Sequence, residues 1–127
     1  MMTYDADNIF AKILSGAIPA HKVFEDAEIL AIMDVFPQSR GHTLVIPKAP
    51  SRNLLDAEPK VLSTVMPTVQ KIAAAVVAAT GADGFRLVQF NEAAAGQTVF
   101  HLHWHLLGGR SETSAEVPAA IAIAEAE

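Results

Sequence analysis

A strict alternation of histidine with large apolar residues, from Phe100 to Leu106, limits what this chain can fold into more than any other feature. The segment reads Phe-His-Leu-His-Trp-His-Leu. Because successive side chains of a β-strand point to opposite faces, a strand would place three imidazoles on one face and four apolar side chains on the other. We therefore predict a strand over residues 99–107 whose apolar face packs into a hydrophobic core.

The rest of the 127-residue chain predicts a single α+β domain. Its hydrophobic content of 51% and charged content of 18% are those of a chain that folds around a core. Apolar residues recur with the helical period over residues 59–79, which include Pro67, and a short helix is predicted over residues 7–15 with Asp7 as its cap. Four more strands are predicted at residues 22–26, 28–33, 42–46 and 84–90. Helices segregated from a mainly antiparallel sheet define the α+β class.

Composition excludes several classes of function. The chain has no cysteine, so it forms no disulfide and offers neither a thiolate zinc site nor a cysteine nucleophile. Nine basic and fourteen acidic residues give a formal charge of −5 without a basic cluster, which argues against binding nucleic acid. The longest apolar run covers residues 72–79, far short of the roughly 20 residues of a membrane helix. Because no targeting segment is visible, we expect a cytoplasmic protein without a membrane partner.

Two chemistries fit three histidines on one face of a strand, and a metal site is the first. Histidines two positions apart can share a zinc ion, and His42 could add a ligand. The Cα atoms of His101 and His105 would lie about 13 Å apart, however, so the two would not easily join His103 around one ion. No carboxylate follows at ligand spacing. We therefore predict no metal and no other cofactor.

Nucleophilic attack on phosphorus is the second chemistry. An unperturbed imidazole is mostly neutral at pH 7, and a neutral imidazole is a nucleophile. A covalent phosphohistidine divides one difficult displacement into two easier ones. His103 lies between two other histidines that can stabilise phosphoryl oxygens or protonate a leaving group, so it is the predicted nucleophile. A passive polar face would more commonly carry threonine, serine, lysine or glutamate.

These residues resemble the signature of the histidine triad superfamily. Residues 96–110 read Gly-Gln-Thr-Val-Phe-His-Leu-His-Trp-His-Leu-Leu-Gly-Gly-Arg. Two earlier parts of the chain agree with the same family: residues 7–13 with Ile18-Pro19, and residues 33–35 with residues 41–48. We therefore take residues 1–110 as the domain and residues 111–127 as a C-terminal tail. The Gly-Gly-Arg ending resembles the nucleotide-binding, phosphoramidase branch rather than the dinucleoside polyphosphate branch.

The resemblance implies a homodimer with a five-stranded antiparallel sheet in each subunit and a purine nucleotide bound across the histidine face. It implies hydrolysis of purine nucleoside phosphoramidates or related adenylates, with His103 forming a nucleotidyl intermediate. His105 would contact the phosphate or the leaving group, while His101 and His42 would orient the nucleophile from behind. Further positions would wall the base pocket, contact the ribose and cradle the phosphate. They are Ile9, Phe10, Ile13 and Ile32 for the base, Asp34 and Val35 for the ribose, and Asn91, Gly96, Gln97 and Thr98 for the phosphate and leaving group.

Several of these residues also have a purely structural interpretation. Asp34 could only shape the turn that contains Pro37, and His42 could be a core histidine. Asn91 could end a strand, and Gly96 could serve only its turn. Some relatives carry a Cys-x-x-Cys zinc pair near the N-terminus. The corresponding residues here are an asparagine and an alanine, at positions 8 and 11, so no structural zinc is expected.

Two other functions stay open at this point. Hydrolysis of dinucleoside polyphosphates would use the same nucleophile with another leaving group. A nucleotide-binding or scaffold protein would bind nucleotide tightly and show little turnover. Kinetics on a phosphoramidate, on diadenosine tetraphosphate and on other adenylates would separate the three.

Overall fold

The patterned segments form two helices and five strands in the computed structural model, which describes residues 3–109. The elements are α1 (Ile9–Leu14), β1 (Lys22–Glu25), β2 (Ile29–Met33), β3 (Thr43–Pro47), α2 (Pro59–Thr80), β4 (Gly84–Val88) and β5 (Trp104–Gly109), with a 3₁₀ turn at Ala93–Ala95. The predicted α+β class is confirmed. The predicted tail, residues 111–127, lies outside the described residues.

The five strands form one antiparallel sheet in the order β1-β2-β3-β5-β4. Strands β1, β2 and β3 are neighbours in both sequence and space, whereas β5 lies between β3 and β4. His105 of β5 is opposite Leu44 of β3 on one side and Val88 of β4 on the other. The end of the histidine pattern is thereby held in the interior of the sheet, hydrogen-bonded on both edges.

Alternation along the strands divides the core into two clusters, one on each face of the sheet. Three apolar residues of the histidine segment, Leu102, Trp104 and Leu106, pack in the core as predicted, where they contact the buried face of α2. The other cluster contains Phe10 and Ile13 of α1, packed with Leu30, Ile32, Leu44 and Ile46 of the sheet. Phe10 also contacts the ring of His103. The histidines therefore face the side of the sheet that α1 covers.

Helix α2 forms where the periodicity predicts it and continues through Pro67. Its buried residues recur at helical spacing: Val65, Val69, Ile72, Ala73 and Val76. Gly81 ends the helix in the left-handed conformation, with φ 68°. By length and composition alone, α2 could cross a membrane. The same properties are expected of a helix whose apolar stripe packs on a sheet, which is what α2 does here.

The predicted start of the last strand is wrong: β5 begins at Trp104, not at Val99. The register that pairs Val45 with Trp104 would place Pro47 opposite Leu102 if it continued. Proline has no backbone N–H, so it cannot donate to that ladder. The N–H of Leu102 instead donates to the carbonyl of Ser51, at 2.9 Å. Residues 98–103 are consequently held by the loop that follows β3.

The other differences between prediction and structure concern the residues at which elements begin and end. Asn8, not Asp7, caps α1, because its side-chain oxygen accepts a hydrogen bond from the N–H of Ala11 at 2.9 Å. Strand β5 also extends to Gly109, beyond its predicted end at residue 107, because Gly108 and Gly109 pair with Phe85 and Gly84 of β4.

Candidate active site

Four histidines come together on the α1 side of the sheet. His42 directly precedes β3, His105 lies on β5, and His101 and His103 lie in the segment before β5. The ring of His105 is 5.0 Å from that of His103 and 5.2 Å from that of His42, between centroids. All four side chains are buried. The structure thus brings together the four predicted catalytic residues, in the interior rather than as an exposed row.

A hydrogen bond to the backbone orients His103. Its Nδ1 lies 2.7 Å from the carbonyl oxygen of His101. Because a carbonyl only accepts, Nδ1 carries the proton and Nε2 keeps its lone pair. Burial and the neighbouring His105 lower the pKa of His103 to about 3, so the ring stays neutral at neutral pH. His103 therefore has a fixed tautomer whose free nitrogen is a nucleophile.

His42 and His105 form a hydrogen-bond chain that begins at the backbone. The N–H of Gln38 donates to Nδ1 of His42 at 3.1 Å, so the proton of neutral His42 is on Nε2. That Nε2 lies 3.0 Å from Nδ1 of His105, which must accept. The proton of His105 is then on Nε2. Burial lowers the pKa of both rings to about 4, so neutral tautomers apply at neutral pH.

His101 acts through its backbone. Its Nε2–H donates to the carbonyl of Pro47 at 2.7 Å, and its Nδ1 accepts from the hydroxyl of Tyr4 at 2.6 Å. Both ring nitrogens are satisfied within the protein, and burial lowers the pKa of the ring. The group of His101 that contacts His103 is its carbonyl, and the role of either residue in catalysis stays a prediction. Tyr4 was not predicted, because nothing in its sequence position indicates contact with a residue 97 positions away.

Asp34, His42 and His105 offer ligand atoms within 4.8 Å of one another, which is metal-like spacing. The hydrogen bond from Gln38 to Nδ1, however, keeps a proton on Nε2 of His42, the atom that lies nearest the other two residues. A metal ion bound there would have to displace that proton. The arrangement therefore favours a hydrogen-bond chain over a metal site.

Asp34 shapes its turn and also lies beside His42. Its Oδ1 accepts a hydrogen bond from the N–H of Phe36 at 2.8 Å, which shapes the turn. Its Oδ2 lies 3.5 Å from Nε2 of His42. Burial raises the pKa of this carboxyl group. Asp34 is thus adjacent to the histidine cluster, and its predicted contact with a ribose stays a prediction.

The predicted base-pocket residues divide by exposure. Phe10, Ile13 and Ile32 are buried in the α1-side core, where Phe10 packs edge-on against His103 with 4.7 Å between centroids. Ile9, the fourth predicted base-pocket residue, is 47% exposed, and Val35, predicted beside Asp34 at the ribose, is 79% exposed. The contacts of these residues with a nucleotide stay a prediction.

Most of the groups predicted to bind the phosphate already form hydrogen bonds within the protein. The N–H groups of Gly96 and Gln97 close the 3₁₀ turn, at 3.1 Å each to the carbonyls of Ala93 and Glu92. The Gln97 side chain is buried and donates to the carbonyls of Arg52 and Val99. Gly96 has φ 101°, which favours glycine. In this conformation, Gly96 and Gln97 build the loop and are not free phosphate donors.

The other two members of the predicted cradle lie in the same region. The side-chain oxygen of Asn91 accepts from the N–H of Leu54 at 2.9 Å and from the Gln89 side chain at 2.8 Å. Thr98 is half-buried. Asn91 therefore ties the loop to the segment after β3, and a phosphate contact by Thr98 stays a prediction.

Besides Tyr4, sequence reasoning missed Arg52 and Asn53, which support the histidine segment. Arg52 forms two hydrogen bonds with Glu92, and its guanidinium lies 4.2 Å from the centre of the Phe100 ring. Phe100 is consequently half-buried beneath Arg52 and is not in the core, where the alternation placed it. Asn53 is fully buried and donates to Gln97 and Glu92. No spacing motif connects residues about 40 positions apart, so only the fold reveals these contacts.

Comparisons with known proteins identify similar chains. The family profile described as "HIT domain" matches residues 15–112. The adenylylsulfatase HINT3 of Arabidopsis thaliana is 42% identical over 105 residues, which are 83% of this chain and 53% of that protein. The chain therefore spans about half the length of that relative. The activity that the relative's name gives is stated of that protein only.

Two solved structures extend the comparison. A HIT-like protein from Bartonella henselae, described as involved in cell-cycle regulation, is 48% identical with a TM-score of 0.85, and the match covers 98% of each chain. A histidine triad nucleotide-binding protein from Candida albicans is 31% identical with a TM-score of 0.76, covering 84% of this chain and 77% of that one. This chain shares its fold with both proteins.

Proposed function

The chain belongs to the HIT domain family, and from that premise we propose that it is a nucleotide-binding hydrolase that cleaves purine nucleoside phosphoramidates or related adenylates. The orientation of His103 is the observation that supports this function best. Its Nδ1–H is held by the His101 carbonyl, so a neutral ring carries its lone pair on Nε2. The name of the Arabidopsis relative, an adenylylsulfatase, and that of the Candida protein, a nucleotide-binding protein, agree with it.

In the proposed first step, Nε2 of His103 attacks the α-phosphorus and the bond from phosphorus to the leaving group breaks. The Nε2–H of His105 hydrogen-bonds the phosphate or the leaving group, which takes up a proton from solvent as it departs. In the second step, water attacks the phosphorus, the bond from phosphorus to His103 breaks, and the water gives up a proton to solvent. One water molecule is consumed, and His103 returns to its neutral tautomer.

Rapid quenching followed by mass spectrometry tests this proposal. We expect a nucleotide-sized adduct on His103 when the protein is mixed with an adenosine phosphoramidate. His103→Ala should lose the adduct and turnover while retaining nucleotide binding. Turnover by His103→Ala at the wild-type rate, or an adduct on another residue, would overturn the mechanism.

We also propose that two copies of the chain form a homodimer through β4. This strand pairs only with β5, so its other edge is open within the described residues 3–109. Phe85 and Leu87 of this edge strand are 47% and 43% exposed. An open apolar edge is a template for pairing with a second strand. Light scattering should report a dimer, and Leu87→Lys should shift it toward the monomer, whereas a monomeric wild-type protein would contradict the proposal.

A further inference from the structure

The backbone of Glu92 is held in an unusual conformation. With φ 75° and ψ 153°, it is the one non-glycine residue of positive φ among residues 3–109. This region of backbone space is used almost only by glycine. A side chain persists there only when its surroundings determine its position, and such residues cluster at functional sites. The contacts of the Glu92 side chain therefore indicate which part of the molecule requires this backbone conformation.

Three hydrogen bonds hold the Glu92 carboxylate. Arg52 donates from Nε to Oε2 at 2.8 Å and from Nη2 to Oε1 at 3.0 Å, which is a paired arrangement. Asn53 donates from Nδ2 to Oε2 at 2.6 Å. The Arg52 guanidinium lowers the pKa of Glu92, so the pair is charged at neutral pH. The strained residue is thus attached to the segment that follows β3.

That same segment holds the residues immediately before the nucleophile. The Arg52 guanidinium packs over Phe100, and the Arg52 carbonyl accepts from the Gln97 side chain at 2.7 Å. The carbonyl of Ser51 accepts from the N–H of Leu102 at 2.9 Å. Within the described residues 3–109, no strand pairs with residues 97–102, so these contacts replace the β-ladder in fixing the backbone that carries His101.

We propose that Arg52 and Glu92 are positioning residues for the reaction at His103, an inference that rests on the proposed hydrolase function. The ion pair fixes residues 97–102, and through them the His101 carbonyl that binds Nδ1 of His103. Neither Arg52 nor Glu92 contacts the reacting atoms in this proposal. Misplacement of a nucleophile by about 1 Å can cost a hundredfold in rate, so a positioning pair has its effect on kcat.

A purely structural ion pair would behave differently. The side chains of Arg52 and Glu92 are 20% and 33% exposed and their hydrogen bonds are paired, so the ion pair contributes to stability as well as to geometry. Glu92→Gly separates the two roles, because glycine removes the carboxylate but also relieves the backbone strain, which offsets the stability lost with the ion pair. We expect its melting temperature to stay near that of the wild-type protein while its kcat falls. A structural role predicts instead that kcat follows stability.

The test compares Glu92→Gln, Glu92→Gly, Arg52→Lys and the double variant Arg52→Lys/Glu92→Gln, with an adenosine phosphoramidate as substrate. Lysine keeps the charge of Arg52 but cannot form the paired hydrogen bonds. We expect kcat to fall about tenfold in each single variant, with KM within about twofold of the wild-type value. The double variant should be no slower than the slower single variant, since both substitutions break the same contact. Lys22→Gln is the control, because it breaks an exposed pair with Glu25 on β1.

Hydrogen exchange at the Leu102 amide gives a second readout that needs no activity. The positioning role predicts faster exchange there in Glu92→Gln and Arg52→Lys, and wild-type exchange in Lys22→Gln. Wild-type kcat together with wild-type exchange in the Glu92 and Arg52 variants would overturn the inference. If the wild-type protein itself forms no adduct, the hydrolase proposal fails, and exchange at Leu102 alone decides whether the pair fixes this segment.

Discussion

The Nε2 atom of His42 lies 3.0 Å from Nδ1 of His105, in a chain of hydrogen bonds that starts at the backbone amide of Gln38. A backbone N–H can only donate a hydrogen bond. It therefore fixes which atom donates and which accepts in each later hydrogen bond of this chain. His42 must donate, and His105 must accept on Nδ1 and carry its proton on Nε2. The side chain predicted to assist the leaving group is therefore held in the donating tautomer by the backbone of Gln38, through His42.

Replacement of His42 should disturb the tautomer of His105. His42→Phe keeps a ring of similar size but removes the donor to Nδ1, so His105 can move its proton to that atom. We expect kcat to fall about tenfold or more, since a positioned acid contributes at least that much. Nitrogen-15 NMR should show Nδ1 of His105 unprotonated in the wild-type protein and protonated in the variant. His21→Ala, at an exposed position, is the control, and an unchanged tautomer would contradict the prediction.

Stability should fall steeply in mild acid. Burial lowers the pKa of His103 to about 3 and those of His42 and His105 to about 4, whereas an unfolded histidine titrates near about 6.5. Between these values the unfolded chain binds more protons, so the free energy of unfolding decreases as pH falls below about 6.5. Each histidine contributes a slope of up to about 1.4 kcal/mol per pH unit.

Urea denaturation at pH 7.5, 6.0 and 4.5 measures this dependence. Stability should change little above pH 7 and drop between pH 6 and 4.5. His103→Asn, which removes one buried imidazole, should show a shallower slope, whereas the exposed His21→Ala should keep the wild-type slope. Equal stability at pH 7.5 and 4.5 would show that the buried rings do not resist protonation.

Tyr4 should stabilise the domain through its hydroxyl group. Tyr4→Phe preserves the ring that packs edge-on against His101, 5.5 Å away between centroids, but removes the donor to Nδ1. His101 is fully buried, so its Nδ1 would lose its partner in the interior. An unsatisfied buried acceptor costs about 1–3 kcal/mol. Thermal or urea denaturation should show a loss in that range, and a variant as stable as the wild-type protein would exclude a structural role for this bond.

The alternation around the histidines was sufficient to predict that His101, His103 and His105 share one side and that the apolar residues between them pack into the core, while the place of His42 beside them followed from the family resemblance. Period-two patterning encodes which face a side chain occupies, and that information is local. The start of β5 was mispredicted, because it depends on the register between distant strands, in which a continued ladder would bring Pro47 opposite Leu102. The Phe100 side chain was placed in the core by the same local rule and is covered by Arg52 instead.

The supporting contacts of the site were not predictable for the same reason. Arg52 and Glu92 are separated by 40 positions, and Tyr4 and His101 by 97. Neither pair carries a spacing signature, and each side chain on its own is typical of an exposed loop or terminus. Likewise, the roles assigned to Gly96 and Gln97 followed from their position before the histidines, whereas their hydrogen bonds belong to the loop. Motifs indicate which residues react, while the residues that hold them are found only in the fold.

Replacement of Gly41, which precedes His42, by alanine provides a last test. Gly16 is its control, because it has a similar backbone conformation but different surroundings. Gly41 has φ 80° and Gly16 has φ 85°, so alanine is strained at both. A Cβ at Gly41 would lie 2.7 Å from Cγ2 of Thr80, whose hydroxyl is bonded to the Val76 carbonyl, whereas a Cβ at Gly16 would meet no atom within 4 Å. Gly16→Ala should cost about 1–2 kcal/mol, and Gly41→Ala about 1–3 kcal/mol more.

The same two variants also connect packing to the site. Relief of the contact between position 41 and Thr80 would move the start of β3, and with it the His42 ring that donates to His105. Gly41→Ala should therefore lower kcat as well as stability, whereas Gly16→Ala, at the end of α1, should lower stability alone. Denaturation curves measured beside steady-state kinetics separate the effects. Equal losses of stability in the two variants would mean that α2 does not constrain the backbone at Gly41, and the coupling of α2 to His42 would be wrong.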